Sequence, residues 1–292
     1  MQHSTFKVMA TLLLAIQCLL GTPAVAADKI RVTASFSVLG DLVRVVGGER
    51  VTVTTLVGPN EDAHAFEPKP VDAKVILASQ LLVSNGLNFE PWANKLATSA
   101  GFKGESVVAS QGINTLAGDP HAWQNPNHVA IYVRNIAAGL SRVDAQGATS
   151  YQANAEAYVK ELQTLDTWAK AQFAGIPIVK RKVITSHDAF GYFAAHYQIK
   201  FLAPQGVNAE AEPSAKQVAQ LIRQIQREKI RAVFVENMSN PKLIAQLSHD
   251  AGATVGASLY SDALSAPDQP GATYLQMMRH NITQLAAGMK LN

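Results

Sequence analysis

Tyr151-Gln-Ala-Asn-Ala155-Glu-Ala-Tyr158-Val-Lys-Glu-Leu162-Gln-Thr-Leu165-Asp-Thr-Trp168-Ala169 decides the architecture of this chain. Tyr151, Ala155, Tyr158, Leu162, Leu165, Trp168 and Ala169 recur at three- and four-residue steps, which puts them on one apolar stripe of a helix. A helix of roughly 24 residues is about 36 Å long, enough to cross from one lobe of a protein to another. Val129 to Val143 reads as a separate helix before it, with Asp144 to Ala148 as the break. Between Asn127 and Phe173 no strand pattern appears.

Outward from this spine, both flanks alternate short β-rich runs with amphipathic ones. On the N-terminal side Lys29 to Ala34, Val51 to Val57, Leu81 to Ser84 and Ser106 to Val108 read as strands, and Val38 to Val46 as a helix closed by Gly47-Gly48. Pro70 can open a further helix, because its missing N–H is unpaired there anyway. On the C-terminal side, strands are expected at Lys182 to Thr185, Ile199 to Ala203, Ala232 to Val235 and Thr254 to Leu259. Helices are expected at Ser214–Glu228, after Glu212-Pro213-Ser214, and at Pro241–Ala251. Strands alternating with helices imply βαβ units and mostly parallel sheets. The expectation is an α/β protein of two βα lobes joined by one long rigid helix. The N-terminal lobe spans 27–147, the connecting helix 148–175 and the C-terminal lobe 176–292, with no repeat, low-complexity stretch or flexible linker.

Residues 1–26 read as a secretory signal: Lys7, the apolar run Val8 to Leu20, and the small-residue cleavage site Ala24-Val25-Ala26. The run is shorter than the roughly 20 residues that span a bilayer. Cys18 is the only cysteine, and it sits inside that run after Gln17, which is not small, so lipidation there is not expected. A mature chain without a thiol has no disulfide, thiolate metal site or cysteine nucleophile. Removing the signal takes away Lys7 alone, leaving 24 of the 25 basic residues against 22 acidic ones. This balance gives no footprint for nucleic acid or an anionic membrane. A mature length of about 265 residues fits about two compact units.

Four residues of suitable chemistry lie in punctuated loops: His64 in Asn60-Glu-Asp-Ala-His64-Ala-Phe-Glu-Pro68, His121 in Gly118-Asp-Pro-His121-Ala-Trp123, His187 in Ile184-Thr-Ser-His187-Asp-Ala-Phe190, and Asp262 in Leu259-Tyr-Ser-Asp262. Loops beyond the carboxyl ends of parallel strands are where ligands bind in such sheets. Three imidazoles and a carboxylate suit a divalent metal, zinc above all. Each also has a plainer reading, as a surface histidine on a turn or an Asp that caps a helix. Asp119 could hold the far imidazole N–H of His121. Ser186 or Asp188 could cap the helix after His187. His128 and His196 read as exposed helix-face residues, and His249 and His280 as helical without partners. Glu210, Glu212 and Glu236 are competing carboxylates at neighbouring junctions.

At these residues the chain resembles the metal-binding solute-binding proteins that serve ATP-binding-cassette importers of zinc and manganese. The resemblance rests on Asp62-Ala-His64-Ala-Phe-Glu-Pro68, Asp119-Pro-His121-Ala-Trp123, Ser186-His187-Asp-Ala-Phe-Gly-Tyr-Phe193, Glu210-Ala-Glu-Pro-Ser214 and Tyr260-Ser-Asp262. It implies two lobes tied by one long helix, with a metal in the interlobe cleft held by His64, His121, His187 and Asp262. It further implies a periplasmic monomer that binds one Zn2+, with Mn2+ as the alternative, and delivers it to a membrane permease. No enzymatic activity is implied. Two departures bear on the metal. Ser110 to Gly118 is short and lacks the histidine-rich loop of many zinc-specific members, and the third ligand position is His187, where manganese-directed relatives commonly carry glutamate. Three nitrogens favour zinc. The rival is an exported zinc hydrolase, which needs an open coordination position and a general base; no His-Glu-x-x-His helix and no serine or cysteine nucleophile signature appears.

Overall fold

Alternating β-branched residues make Ile30–Phe36 a strand, β1, whose last five residues are buried. The computed structural model describes residues 28–207 and 213–292. The expected signal segment with Cys18, and Glu210 and Glu212, lie outside them. After β1 come α1 (Ser37–Gly47), β2 (Val51–Val57), α2 (Pro70–Leu77), β3 (Leu81–Ser84), α3 (Pro91–Ala100) and β4 (Glu105–Val108). The four strands form one parallel sheet in the order β2-β1-β3-β4, with Ile30 opposite Val51 and Val32 opposite Leu81. Pro70 does open α2, and Val51–Val57 and Leu81–Ser84 carry the boundaries expected of them. The helix α3 is not anticipated by the sequence reading; Pro91 opens it and Gly101, in the left-handed conformation, closes it.

The spine follows. The helix α4 (Pro126–Val143) is capped by the Asn125 side chain, and Asp144 accepts the Gly147 N–H across a short turn before α5 (Ala148–Ala174) begins. Its 27 residues make a helix of about 40 Å. The stripe is where the periodicity puts it: Tyr151, Ala155, Tyr158, Leu162, Leu165 and Ala169 are buried, Phe173 extends the row, and Trp168 sits half-buried at its edge. Asp144 also joins elements distant in sequence. It accepts Arg50 Nε and Nη2 at 2.8 and 2.9 Å and the Tyr151 hydroxyl at 2.6 Å.

The second half repeats the pattern with β5 (Lys182–Ile184), α6 (Gly191–Tyr197), β6 (Lys200–Leu202), α7 (Ala215–Glu228), β7 (Ala232–Val233), α8 (Pro241–Ala251), β8 (Thr254–Val255) and α9 (Tyr274–Lys290). Its sheet is parallel with order β6-β5-β7-β8. Ser214 caps α7 and Gln217 returns the bond, as the Glu-Pro-Ser start implies. The strands are shorter than expected: residues 256–259 leave the sheet except for a single bridge between Glu236 and Leu259. The helix α6 is not capped by Ser186 or Asp188. It starts later, at Gly191, with no side-chain cap. A Cβ on Gly191 would collide with Asp119 Oδ2, so glycine is what lets α6 approach the N-terminal lobe.

One apolar core runs without a break from β1 and α1 through α4 and α5 to Phe190, Phe193, Tyr274 and Met278. A second, smaller cluster of Ile184, Leu221, Ile225, Val233, Ile244 and Leu247 belongs to the C-terminal sheet. α5 packs on α1 and α4 on one side and α9 on the other. The two lobes are therefore attached to a common spine and share packed residues, unlike two bodies on a flexible strand.

Candidate metal centre

His64 and His121 are delivered by the same local device. Asp62 accepts the backbone N–H of His64 at 2.8 Å, and Asp119 that of His121 at 2.9 Å. An Asp closing a small turn on the residue two ahead restrains the backbone wherever the imidazole must point. Asp119 Oδ1 also lies 2.8 Å from Nδ1 of His121, which leaves Nε2 to face inward as a lone-pair donor. The Phe89 ring packs 4.4 Å from that of His64, and Trp123 packs 5.3 Å from His121. These rings wall the site in apolar surface.

His187 lies just beyond β5 and is completely buried. Its Nδ1 is 2.6 Å from Glu236 Oε2, while Glu236 Oε1 accepts the Ser186 N–H at 2.7 Å. Glu236, weighed in the sequence as a competitor, instead stands behind His187. Asp262 is also fully buried, and its segment is held by two bonds into the neighbouring Ser261 carbonyl, from Trp123 Nε1 and Gln124 Nε2, each 2.8 Å.

The three Nε2 atoms and the Asp262 oxygens converge. His64 Nε2 is 3.2 Å from His121 Nε2 and 3.8 Å from Asp262 Oδ2. His121 Nε2 is 3.4 Å from Asp262 Oδ1, and His187 Nε2 is 3.0 Å from Asp262 Oδ2. Bonds of about 2.0–2.1 Å to a tetrahedral ion set its donors roughly 3.3 Å apart. These four spacings bracket that value, but only His64, His121 and Asp262 are all within 4.8 Å of one another, and His187 joins them through Asp262. Asp262 Oδ1 is buried with no hydrogen-bond partner. An acceptor that is desolvated and unpaired costs free energy unless a cation or donor meets it. The donor set thus fits a small divalent cation.

The protonation pattern points the same way. Burial pushes His64 down to about 4 despite the charge of Asp262, so this imidazole is neutral and ready to donate. At His121 burial also opposes the proton, but the Asp262 charge and the Asp119 hydrogen bond outweigh it and raise the pKa. The same balance, with Asp262 and Glu236 prevailing over burial, holds His187 well above its ordinary value. Burial disfavours the Asp262 anion, yet the His121 and His187 charges keep its carboxyl well below the usual range.

The remaining histidines take other places. His128 is not on an exposed face: its ring packs 5.2 Å from Tyr192, and its Nδ1 is buried without a partner. His196 is turned inward too, with Nε2 2.6 Å from Asp166 on α5. His280 meets the Ser258 carbonyl at 2.8 Å, and exposed His249 meets Asp250 at 3.1 Å. Phe89 and the Trp123–Gln124 pair are parts of the site that the sequence reading passes over. Phe89 follows β3, and strand ends are where such residues are found.

Replacing Asp119 by Asn should weaken metal affinity by about 10- to 100-fold, the range for outer partners of ligating histidines. Calorimetric titration of the metal-free variant checks this.

Two parallel-sheet lobes on one spanning helix, with three imidazoles and a carboxylate buried together, define a solute-binding protein for a metal ion. The chain belongs to the family described as zinc-uptake complex component A, periplasmic, whose model matches residues 32–288. It is 30% identical over 98% of its length, and 97% of the relative's, to the manganese-binding lipoprotein MntA of Halalkalibacterium halodurans. Among solved structures it is similar to the periplasmic zinc binding protein TroA from Treponema pallidum, with TM-score 0.85 and 25% identity over 90% of this chain and 99% of that one. A Mn-bound periplasmic metal binding protein from Candidatus Liberibacter asiaticus matches with TM-score 0.82 and 29% identity, covering 89% of this chain and 100% of that one.

Proposed function

We propose that this protein captures one Zn2+ per chain in the periplasm and hands it to the membrane permease of an ATP-binding-cassette importer. The observation that carries the reading is that His64, His121 and Asp262 each bring a donor atom within 4.8 Å of the others, with His187 Nε2 3.0 Å from Asp262 Oδ2 and a buried Asp262 oxygen that has no hydrogen-bond partner. The four residues are proposed as the ligands. Zinc is favoured over manganese because imidazole nitrogen suits zinc, whereas manganese prefers oxygen donors and stands lower in the affinity series. The relatives are named for both metals, so the choice rests on this donor set alone.

Four protein donors complete a tetrahedral shell. A full shell holds the ion without activating water, which separates capture from hydrolysis. Glu236 is committed to the Ser186 N–H and the His187 ring and so is not a free base; Glu210 and Glu212, which could serve a hydrolase as base, lie outside the described residues. The chain acts as a monomer, exported by a signal ending near Ala26 and with no lipid on Cys18, unlike the relatives named lipoproteins.

Competitive calorimetry with Zn2+ and Mn2+ on demetallated protein tests the reading. One ion per chain is expected, with zinc displacing manganese; manganese retained against equimolar zinc overturns the choice of metal, and uptake of neither overturns the function.

A further inference from the structure

We propose that His187 is the last of the four donors to engage and the first to let go, and that Glu236 is the positioning residue that sets how long the ion stays. This rests on the metal-capture reading above and adds an order of events to it.

The sequence divides the donors two and two about the long helix, but the distances between donor atoms divide them three and one. The Asp262 segment, bonded to its own half through Leu259 and Tyr260, is also fastened to the N-terminal lobe. Trp123 and Gln124 both donate to the Ser261 carbonyl, the Leu264 N–H bonds Ser37 Oγ at 2.9 Å, and the Asn60 N–H bonds the Leu264 carbonyl at 2.9 Å. Leu259, Tyr260 and Leu264 pack in the main core with Phe36 and Trp123. One donor atom each from His64, His121 and Asp262 lies within 4.8 Å of the others, a half-site of three.

His187 is held by other residues. Its own N–H and ring meet Glu236 at 3.3 and 2.6 Å, its neighbour Ser186 donates to Glu236 and accepts from Gln205, and Asp188 bonds the Gly206 carbonyl at 3.2 Å. Ile184 and Val233, on the strands that lead to His187 and Glu236, pack in the separate C-terminal cluster. Ties from this side are Tyr192, whose hydroxyl donates to the Asp119 carbonyl at 3.2 Å and accepts the Leu116 N–H at 2.9 Å, and Asn237 beside Glu236, whose amide donates to Asn60 Oδ1 at 2.8 Å and whose N–H donates to the Leu259 carbonyl at 2.9 Å. Parting His187 Nε2 from Asp262 Oδ2 leaves the other three donors within 4.8 Å of one another.

Three protein donors plus water are a stable arrangement for zinc. The half-site can therefore take the ion first, with His187 replacing the last water. Glu236 accepts from four donors: the Ser186 and His187 N–H groups, the His187 ring and the Ser239 hydroxyl at 3.2 Å. It fixes the ring's direction and strengthens Nε2 as a donor. Weakening that hold should shorten residence without changing encounter.

The test is stopped-flow uptake of Co2+ and its release to EDTA, with the Co2+ absorption spectrum as the second readout, on wild type, Glu236→Gln, His187→Ala and His121→Ala. Glu236→Gln should release the ion 10- to 100-fold faster, with association within about twofold of wild type. His187→Ala should still take up Co2+, release it fast, and recover slow release and the wild-type spectrum on adding free imidazole, which a merely structural loss would not do. His121→Ala, from the half-site, should bind far more weakly. If His187→Ala binds as poorly as His121→Ala, or if Glu236→Gln slows association and leaves release unchanged, this inference is overturned while capture by wild type stands. A wild type that takes up no ion overturns both.

Discussion

Asp262→Asn is expected to lower zinc affinity by more than the roughly 100-fold that marks the upper end for outer-sphere changes. The amide keeps the shape of the fully buried side chain but removes the one anionic donor from a cluster whose other proposed members are neutral imidazoles when metal is bound. One of its two heteroatoms becomes an N–H donor, aimed where a cation should sit or at a ring nitrogen that should face the cation. Competition against a chromogenic chelator reads the loss. A fall of less than tenfold would remove Asp262 from the ligand set. Asp119→Asn, which changes the partner of the His121 backbone N–H and far ring nitrogen but no proposed ligand, serves as the smaller reference.

Metal should raise the melting temperature by on the order of 10 °C, and by more as pH rises. At free zinc of about 1,000 times Kd the folded state gains ~4 kcal/mol, and for a chain somewhat above 150–250 residues each kcal/mol moves the midpoint by about 2–4 °C. The pH dependence follows from His121 and His187, both raised in the metal-free protein. A raised imidazole stabilises the metal-free fold fully below its unfolded pKa of about 6.5, and that contribution disappears as pH climbs through the folded value. Metal-free protein therefore loses this support above about pH 6.5. The loaded protein needs both rings deprotonated, so acid competes with the ion. His64, pushed down to about 4, adds no competing proton near neutrality. Where both protons must leave, affinity falls by about 100-fold for each pH unit lost, two steps of ~1.4 kcal/mol. Melting curves with zinc and with EDTA from pH 5.5 to 8.5, and proton release measured in buffers of different ionisation enthalpy, check this. A metal-induced shift that grows on acidification would contradict it.

Much of the frame is legible because it is local. The stripe from Tyr151 to Ala169 needs only helical periodicity, and Pro241–Ala251 needs only a proline at its start and a glycine after its end. The short strands of the C-terminal sheet are less legible: residues 256–259 have strand composition but are drawn away to carry Asp262 across to the N-terminal lobe. His128, His196 and His280 show the same limit. Each lies on a helix face that looks free in sequence, and each finds a neighbour on another element.

By itself the sequence determined the alternation of strand and helix, the single long spine, and a set of candidate donors in loops, two of them set in Asp-x-His turns that restrain their own backbones. These follow from spacing, propensity and bonds between residues two to four positions apart. Tertiary structure decided which donors meet, how far apart they stand, and that Glu236 supports His187 where it could have competed with it. It also decided that His64, His121 and Asp262 stand closest together, with His187 reaching them through Asp262. Those facts depend on bonds between residues 49, 75 and 138 positions apart. Such pairs leave no local pattern, because sheet order and the shared core, not chain proximity, bring them within reach.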